Sequence, residues 1–137
     1  MLRLVFALAI GTWLGALVLL SFVVTPVAHS MFAPQDARRL LRPIFPRCYV
    51  LGVACGFLAL ATVALGRAHL PAAEALRLSL PAAAGIVCML AGLWLFPKLR
   101  DLDRDDDRLR RLHQVSAMLN STAIGALVLA MAAAVTR

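Results

Sequence analysis

The chain has 137 residues, of which 62% are hydrophobic, and it carries a net charge of +7. Soluble domains are usually about 45–50% apolar, so this excess argues against a soluble globular protein. The cations adjoin apolar runs, which argues against nucleic-acid binding. Four spans of about 20 residues would use roughly 80 residues, which leaves no room for a separate catalytic domain.

The first apolar run covers residues 4–25 and predicts a membrane span. It is about 20 residues long, which exceeds the 7–15 residues of a signal-peptide core, so we expect the span to be retained. Pro26 should end or kink this helix, because its ring cannot continue the backbone hydrogen bonds. In residues 34–43 the apolar side chains share one face and three arginines lie elsewhere, which predicts a short amphipathic helix at the membrane surface.

Three further apolar runs predict spans over residues 47–66, 78–97 and 112–135. Tyr49, at the start of the second span, is expected at the membrane interface, where an aromatic ring with a polar tip is favoured. The segment 98–111 is dense in charges of both signs and is therefore expected to be a loop in water. The sequence thus predicts an all-α integral membrane four-helix bundle in a single domain, with the amphipathic interfacial helix between spans 1 and 2.

The orientation of the bundle follows from its Lys and Arg residues. Ten of the 14 lie in the first and third loops, and four lie on the opposite side. Because cations in short loops stay in the cytoplasm, both termini are expected to face away from it.

Small residues at a four-residue spacing indicate how the helices pack. Water does not drive helices together inside lipid, so close backbone approach matters instead. Gly11 and Gly15 share a face in span 1, Gly52 and Gly56 share one in span 2, and Gly92 ends a similar series in span 3. Span 4 offers the series Ala117, Ser121 and Gly125. We expect these faces to pack within the monomer. The alternative is that one of them serves a homodimer or a contact with another membrane subunit.

The start of span 4 is the most polar part of any span. His113, Ser116 and Asn120 lie at i, i+3 and i+7 and therefore share one face. Polar groups inside a span cost free energy and need a reason. One interpretation is hydrogen bonding between helices, and the other is a lining for a ligand, an ion or a proton path. A small-molecule or quinone-related membrane enzyme could use the same face, although no nucleophile with a neighbouring base occurs in the sequence.

A second candidate site follows from the topology, which places His29, Cys48 and His113 near the cytoplasmic interface. Imidazole and thiolate groups could bind a soft transition metal, and two imidazoles could ligate haem iron. The alternative is three interfacial side chains that extend toward water. The cofactor therefore stays unassigned at this point, with haem and a soft metal as the candidates.

Four segments of the sequence, GTWLGALVLLSFVVTP, RRLLRPIFPRCY, FPKLRDL and LHQVSAMLN, resemble the uncharacterised four-span membrane domain shared with human transmembrane protein 205. The resemblance covers residues 11–120 and implies a bacterial inner-membrane protein, whose outward termini would be periplasmic. It implies no biochemical activity. We therefore expect a non-enzymatic accessory or scaffolding subunit that acts through helix–helix contacts in the lipid bilayer, with a haem- or metal-handling protein as the alternative.

Overall fold

The structure, a computed structural model, describes residues 1–101 and 106–135, except for the side chains at 96, 98–101, 106–110, 112 and 113. Within these ranges it is helical and contains no strand. In chain order the elements are α1 Leu2–Val18, a π-helical segment Leu19–Val24, α2 Thr25–Met31, α3 Pro34–Leu41, α4 Ile44–Gly66, α5 Ala72–Asp101 and α6 Asp106–Val135.

Four helical stretches are long and apolar enough to cross a membrane. They cover Leu2–Met31, Pro34–Gly66, Ala72–Leu95 and Gln114–Val135. The predicted fold class, an all-α four-helix membrane bundle, is therefore confirmed.

The first span does not end near residue 25, because the chain stays helical through Pro26 to Met31. Pro26 donates no backbone hydrogen bond, and its ring would clash with a carbonyl in the preceding turn of a regular α-helix. The wider π-helical turn Leu19–Val24 directly precedes it and makes room for the ring. The Thr25 N–H bonds to the Leu20 carbonyl five residues back, and the Thr25 hydroxyl donates to the same oxygen over 2.7 Å.

The amphipathic helix expected over residues 34–43 is present as α3, which ends at Leu41. Its buried side chains Ala37 and Leu41 pack against Ala28 of α2. The arginines of α3 are exposed. A two-residue turn at Arg42 and Pro43 then leads into α4, so α3 is fixed between the end of the first span and the start of the second.

The four long helices form an up-and-down bundle. Helix α1 packs on α4, α4 on α5, α5 on α6 and α6 again on α1, and the last of these contacts is the least extensive. At one end of the bundle Gly66 lies against Leu2, and toward the other end Gly92 lies against Tyr49. The fully buried centre includes the large side chains of Trp13, Ile10, Leu17, Met89 and Leu127.

Most of the segment expected to be a loop, residues 98–111, has a helical backbone. Helix α5 continues to Asp101 and α6 begins at Asp106, while residues 102–105 lie outside the described residues. Lys, Arg and Leu are good helix formers, and charged side chains are compatible with a helix that extends into water. The charge pattern therefore did not predict the conformation of this segment, and its position in water stays a prediction.

Candidate functional site

Trp13 occupies the centre of the bundle, where its side chain is fully buried. Three glycines face its ring, Gly52 and Gly56 from α4 and Gly85 from α5. A β-carbon on Gly85 would lie 2.7 Å from Cη2 of the ring, and one on Gly56 would lie 2.9 Å from Cζ3. Carbon atoms in favourable contact are about 3.5–4.0 Å apart, so a side chain at either position would overlap the indole.

The indole nitrogen of Trp13 is buried and has no hydrogen-bond partner among the described residues. It faces α4 at Gly52, where a β-carbon would overlap it. A buried indole N–H usually finds an acceptor, and leaving such a donor unpaired costs roughly 1–3 kcal/mol. Trp13 thus joins α1, α4 and α5 through shape, with one polar group left unpaired.

The glycines singled out by their spacing have different surroundings. Gly52 and Gly56 lie against Trp13, and a β-carbon on Gly92 would lie 3.1 Å from Cε2 of Tyr49. A β-carbon on Gly11 would lie 4.0 Å from Cε of Met131, whereas a β-carbon on Gly15 would meet no atom within 4 Å. Spacing alone does not reveal Gly85, which belongs to no glycine pair but contacts the same indole.

The small residues of α6 face outward. Ala117, Ser121 and Gly125 are exposed, and a β-carbon on Gly125 would meet nothing within 4 Å. Of the small-residue faces expected to pack within the monomer, that of span 4 is therefore open, as is Gly15 in span 1.

The side chain of Tyr49 is buried between the helices of the bundle, and its expected depth at the membrane interface stays a prediction. Its side chain is 2% exposed, because Gly92 leaves room for the ring. The hydroxyl lies 3.4 Å from Oγ of Ser116, and either atom could donate the hydrogen bond. The ring of Phe45 packs beside it with the centroids 6.2 Å apart. Tyr49 is thus a member of the polar site that the sequence pattern did not reveal.

The predicted polar face of span 4 is seen at two of its three positions. Ser116 and Asn120 are half-buried, while the side chain of His113 lies outside the described residues. The amide of Asn120 makes no hydrogen bond within the described part of the chain, one helical turn away from the Tyr49–Ser116 pair. We call Tyr49, Ser116 and Asn120 the tyrosine cluster.

The predicted metal or haem residues are placed only in part. His29 is exposed in the last turn of α2, and Cys48 is half-buried in the first turns of α4. No group of three His, Cys, Asp or Glu side chains suited to a metal ion occurs among the described residues. The side chain of His113 lies outside the described residues, so a group that includes it is not covered by this statement. The involvement of His29, Cys48 and His113 in a metal or haem site stays a prediction.

Comparison with known protein families gives one match, to the model described as Domain of unknown function (DUF4149), over residues 8–108. The chain belongs to this family. The DUF4149 region includes Trp13, its three glycines and Tyr49, and it ends before Ser116 and Asn120. Neither a curated protein nor a solved structure matches the chain.

Proposed function

We propose that this DUF4149 protein is a non-enzymatic accessory or scaffolding subunit, which holds a second copy of itself or another membrane protein through helix–helix contacts. The observation that carries the proposal is the outward face of α6. Ala117, Ser121 and Gly125 are exposed, and Gly125 has open space where a side chain would be. Small residues let the backbones of two helices approach closely in lipid, which is a main source of their attraction there.

Helix α1 extends this surface. Gly11 lies opposite Met131, and α1 and α6 run in opposite directions, so Gly15 lies close to the depth of Gly125. Gly15 is also exposed and has open space around it. Each of these two positions would let the backbone of a partner helix approach closely.

We further propose that the protein resides in a bacterial inner membrane with both termini in the periplasm. The asymmetry of its Lys and Arg residues supports this orientation. We also propose that the resemblance of four segments to the domain of human transmembrane protein 205 reflects a common four-span family.

Substitution at Gly125 tests the scaffolding proposal. Gly125→Leu should fold, because the site is open, but its side chain should keep a partner helix at a distance. Ala54→Leu is the matched control, since Ala54 is exposed on α4, away from the proposed surface. In blue-native electrophoresis after gentle extraction, wild type and Ala54→Leu should migrate as a complex that Gly125→Leu loses. A wild-type protein that is strictly monomeric and has no co-purifying partner would overturn the proposal.

The tyrosine cluster favours a second candidate, a small-molecule or quinone-related role. The amide of Asn120 is half-buried and has no hydrogen-bond partner among the described residues, so its N–H can donate to a ligand carbonyl and its oxygen can accept from a ligand hydroxyl. Solvent extraction and chromatography of the purified protein should then detect a quinone in the wild type and less of it in Asn120→Leu. Equal quinone content in the two proteins would exclude this site.

The haem or metal alternative rests on His113 with His29 or Cys48. A visible absorption spectrum and elemental analysis of the purified protein decide it. A Soret band or a stoichiometric metal that disappears in His29→Ala or Cys48→Ala would support this function. Neither signal in the wild type would remove it.

A further inference from the structure

A groove of about 490 Å³ opens on the surface between the end of α4 and the start of α5. Each helix contributes residues at i, i+3, i+4 and i+7, so each lines the groove with one face. Leu70, in the connection between the helices, borders the groove as well. The apolar walls include Leu60, Val63, Ala64, Ala75 and Leu76.

The groove carries a positive charge at its mouth. Arg67, the residue that follows the last turn of α4, is exposed and lines the groove. It has no ion-pair partner among the described residues. Glu74 is the one acidic residue in the sequence between positions 37 and 100, and its carboxylate pairs with Arg3. Within the described part of the chain no anion neutralises Arg67, so an anionic group from outside the chain can pair with it.

The depth of the groove matches the arrangement of a membrane lipid. Arg67 lies at the end of α4, where the chain leaves the apolar span, and this is the level of lipid headgroups. Leu60 lies seven residues earlier in the same helix, about 10 Å deeper at 1.5 Å per residue. This length, about two helical turns, is too short to hold a membrane-spanning helix of about 20 residues, but it suits the upper part of an acyl chain.

We propose that this groove binds one anionic glycerophospholipid from the leaflet at this end of the bundle. Arg67 contacts the phosphate and the anionic headgroup, and one acyl chain lies along the apolar walls beside Ala64 and Leu76. A zwitterionic lipid carries its own cation next to the phosphate, so it gains less from the unpaired guanidinium. The groove therefore selects phosphatidylglycerol over phosphatidylethanolamine.

Native mass spectrometry of the full chain in detergent, with either lipid added, tests the proposal. The wild type should retain one phosphatidylglycerol and less phosphatidylethanolamine. Arg67→Gln should weaken phosphatidylglycerol binding about five-fold, the contribution of one cation near a membrane surface. Arg77→Gln is the matched control, because Arg77 is exposed on α5 but does not line the groove, and it should bind nearly as well as the wild type.

A second variant tests the position of the acyl chain without changing any charge. Ala64→Phe fills the groove from an exposed position, so it should fold and should lose both lipids. Equal losses in Arg67→Gln and Arg77→Gln would mean that diffuse surface charge attracts the lipid, and would overturn the proposal. Equal retention of the two lipids by the wild type, or undiminished binding to Ala64→Phe, would also overturn it.

Discussion

Gly52 lies against the indole nitrogen of Trp13, which leaves no space for a β-carbon at position 52. The contact joins α1 to α4 in the fully buried centre of the bundle. The ring has little freedom to move away, because Gly56 and Gly85 lie against its other edges. The fit of one tryptophan to three glycines therefore fixes how closely the first three spans approach one another at this level.

Gly52→Ala should destabilise the bundle by about 1–3 kcal/mol, the usual cost of overpacking a core. The free energy of unfolding in detergent micelles, from denaturant titration, would measure this. The matched control is Gly15→Ala, which has open space in α1 and should be neutral or more stable by up to about 1 kcal/mol, since alanine favours helix. Equal stability of the two variants would mean that the Trp13–Gly52 contact does not limit packing.

Trp13→Phe should reduce the cost of Gly52→Ala, because the smaller ring has no atom at the position of the indole nitrogen. A double-mutant cycle with these substitutions should give a coupling energy of about 0.5–3 kcal/mol, as is usual for residues in contact. Gly92→Ala serves as the control, since it meets Tyr49. The loss of unfolding free energy caused by Gly92→Ala should be the same with Trp or Phe at position 13. Additive effects of Trp13→Phe and Gly52→Ala would contradict the proposed contact.

Tyr49→Phe should destabilise the protein by about 0.5–1.5 kcal/mol, since it removes the hydrogen bond to Ser116. Ser116→Ala removes the same bond, so the double substitution should cost little more than either single one. Ser121→Ala, on the exposed face of α6, should leave unfolding unchanged. Fully additive effects of Tyr49→Phe and Ser116→Ala, measured by the same titration, would show that the two hydroxyls act independently.

The proposed orientation predicts which exposed residues can be labelled from outside the cell. In a variant with Cys48, Cys55 and Cys88 replaced by alanine, His69→Cys should react with a membrane-impermeant maleimide in intact spheroplasts. Gln35→Cys, on the opposite side of the membrane, should react with the same reagent only after the membrane is permeabilised. The reverse pattern would place both termini in the cytoplasm.

Hydropathy was sufficient to predict the four spans, because the requirement for about 20 apolar residues per crossing leaves a strong signal in the sequence. It could not distinguish the pair Gly52–Gly56 from the pair Gly11–Gly15, which have the same spacing. The difference lies in which face each helix turns to its neighbours, and here Trp13 on α1 occupies the space that the α4 glycines leave. Which glycine pair is buried depends on how three helices pack together, so the sequence of a single helix does not reveal it.

Two local features could not be predicted, for related reasons. The residue type of Tyr49 suggested an interfacial depth, but it could not show that space beside Gly92, a residue distant in sequence, buries the side chain inside the bundle. Pro26 was expected to end or kink the first span. The helix does not end there but continues through a π-helical turn, whose backbone hydrogen bond to Leu20 replaces the regular pattern.

The lengths of α5 and α6 give the protein an uneven profile across the membrane. Each contains 30 residues, about 45 Å at 1.5 Å per residue, whereas the hydrocarbon layer is about 30 Å thick. Near Gly66 the helices stop close to the membrane surface. On the other side α5 continues through the charged segment 98–101, and α6 begins at Asp106 within the charged segment 106–111, which extends these two helices by roughly 6–9 Å beyond their apolar runs. We therefore expect a water-soluble partner to contact the bundle from this side more readily than from the side near Gly66.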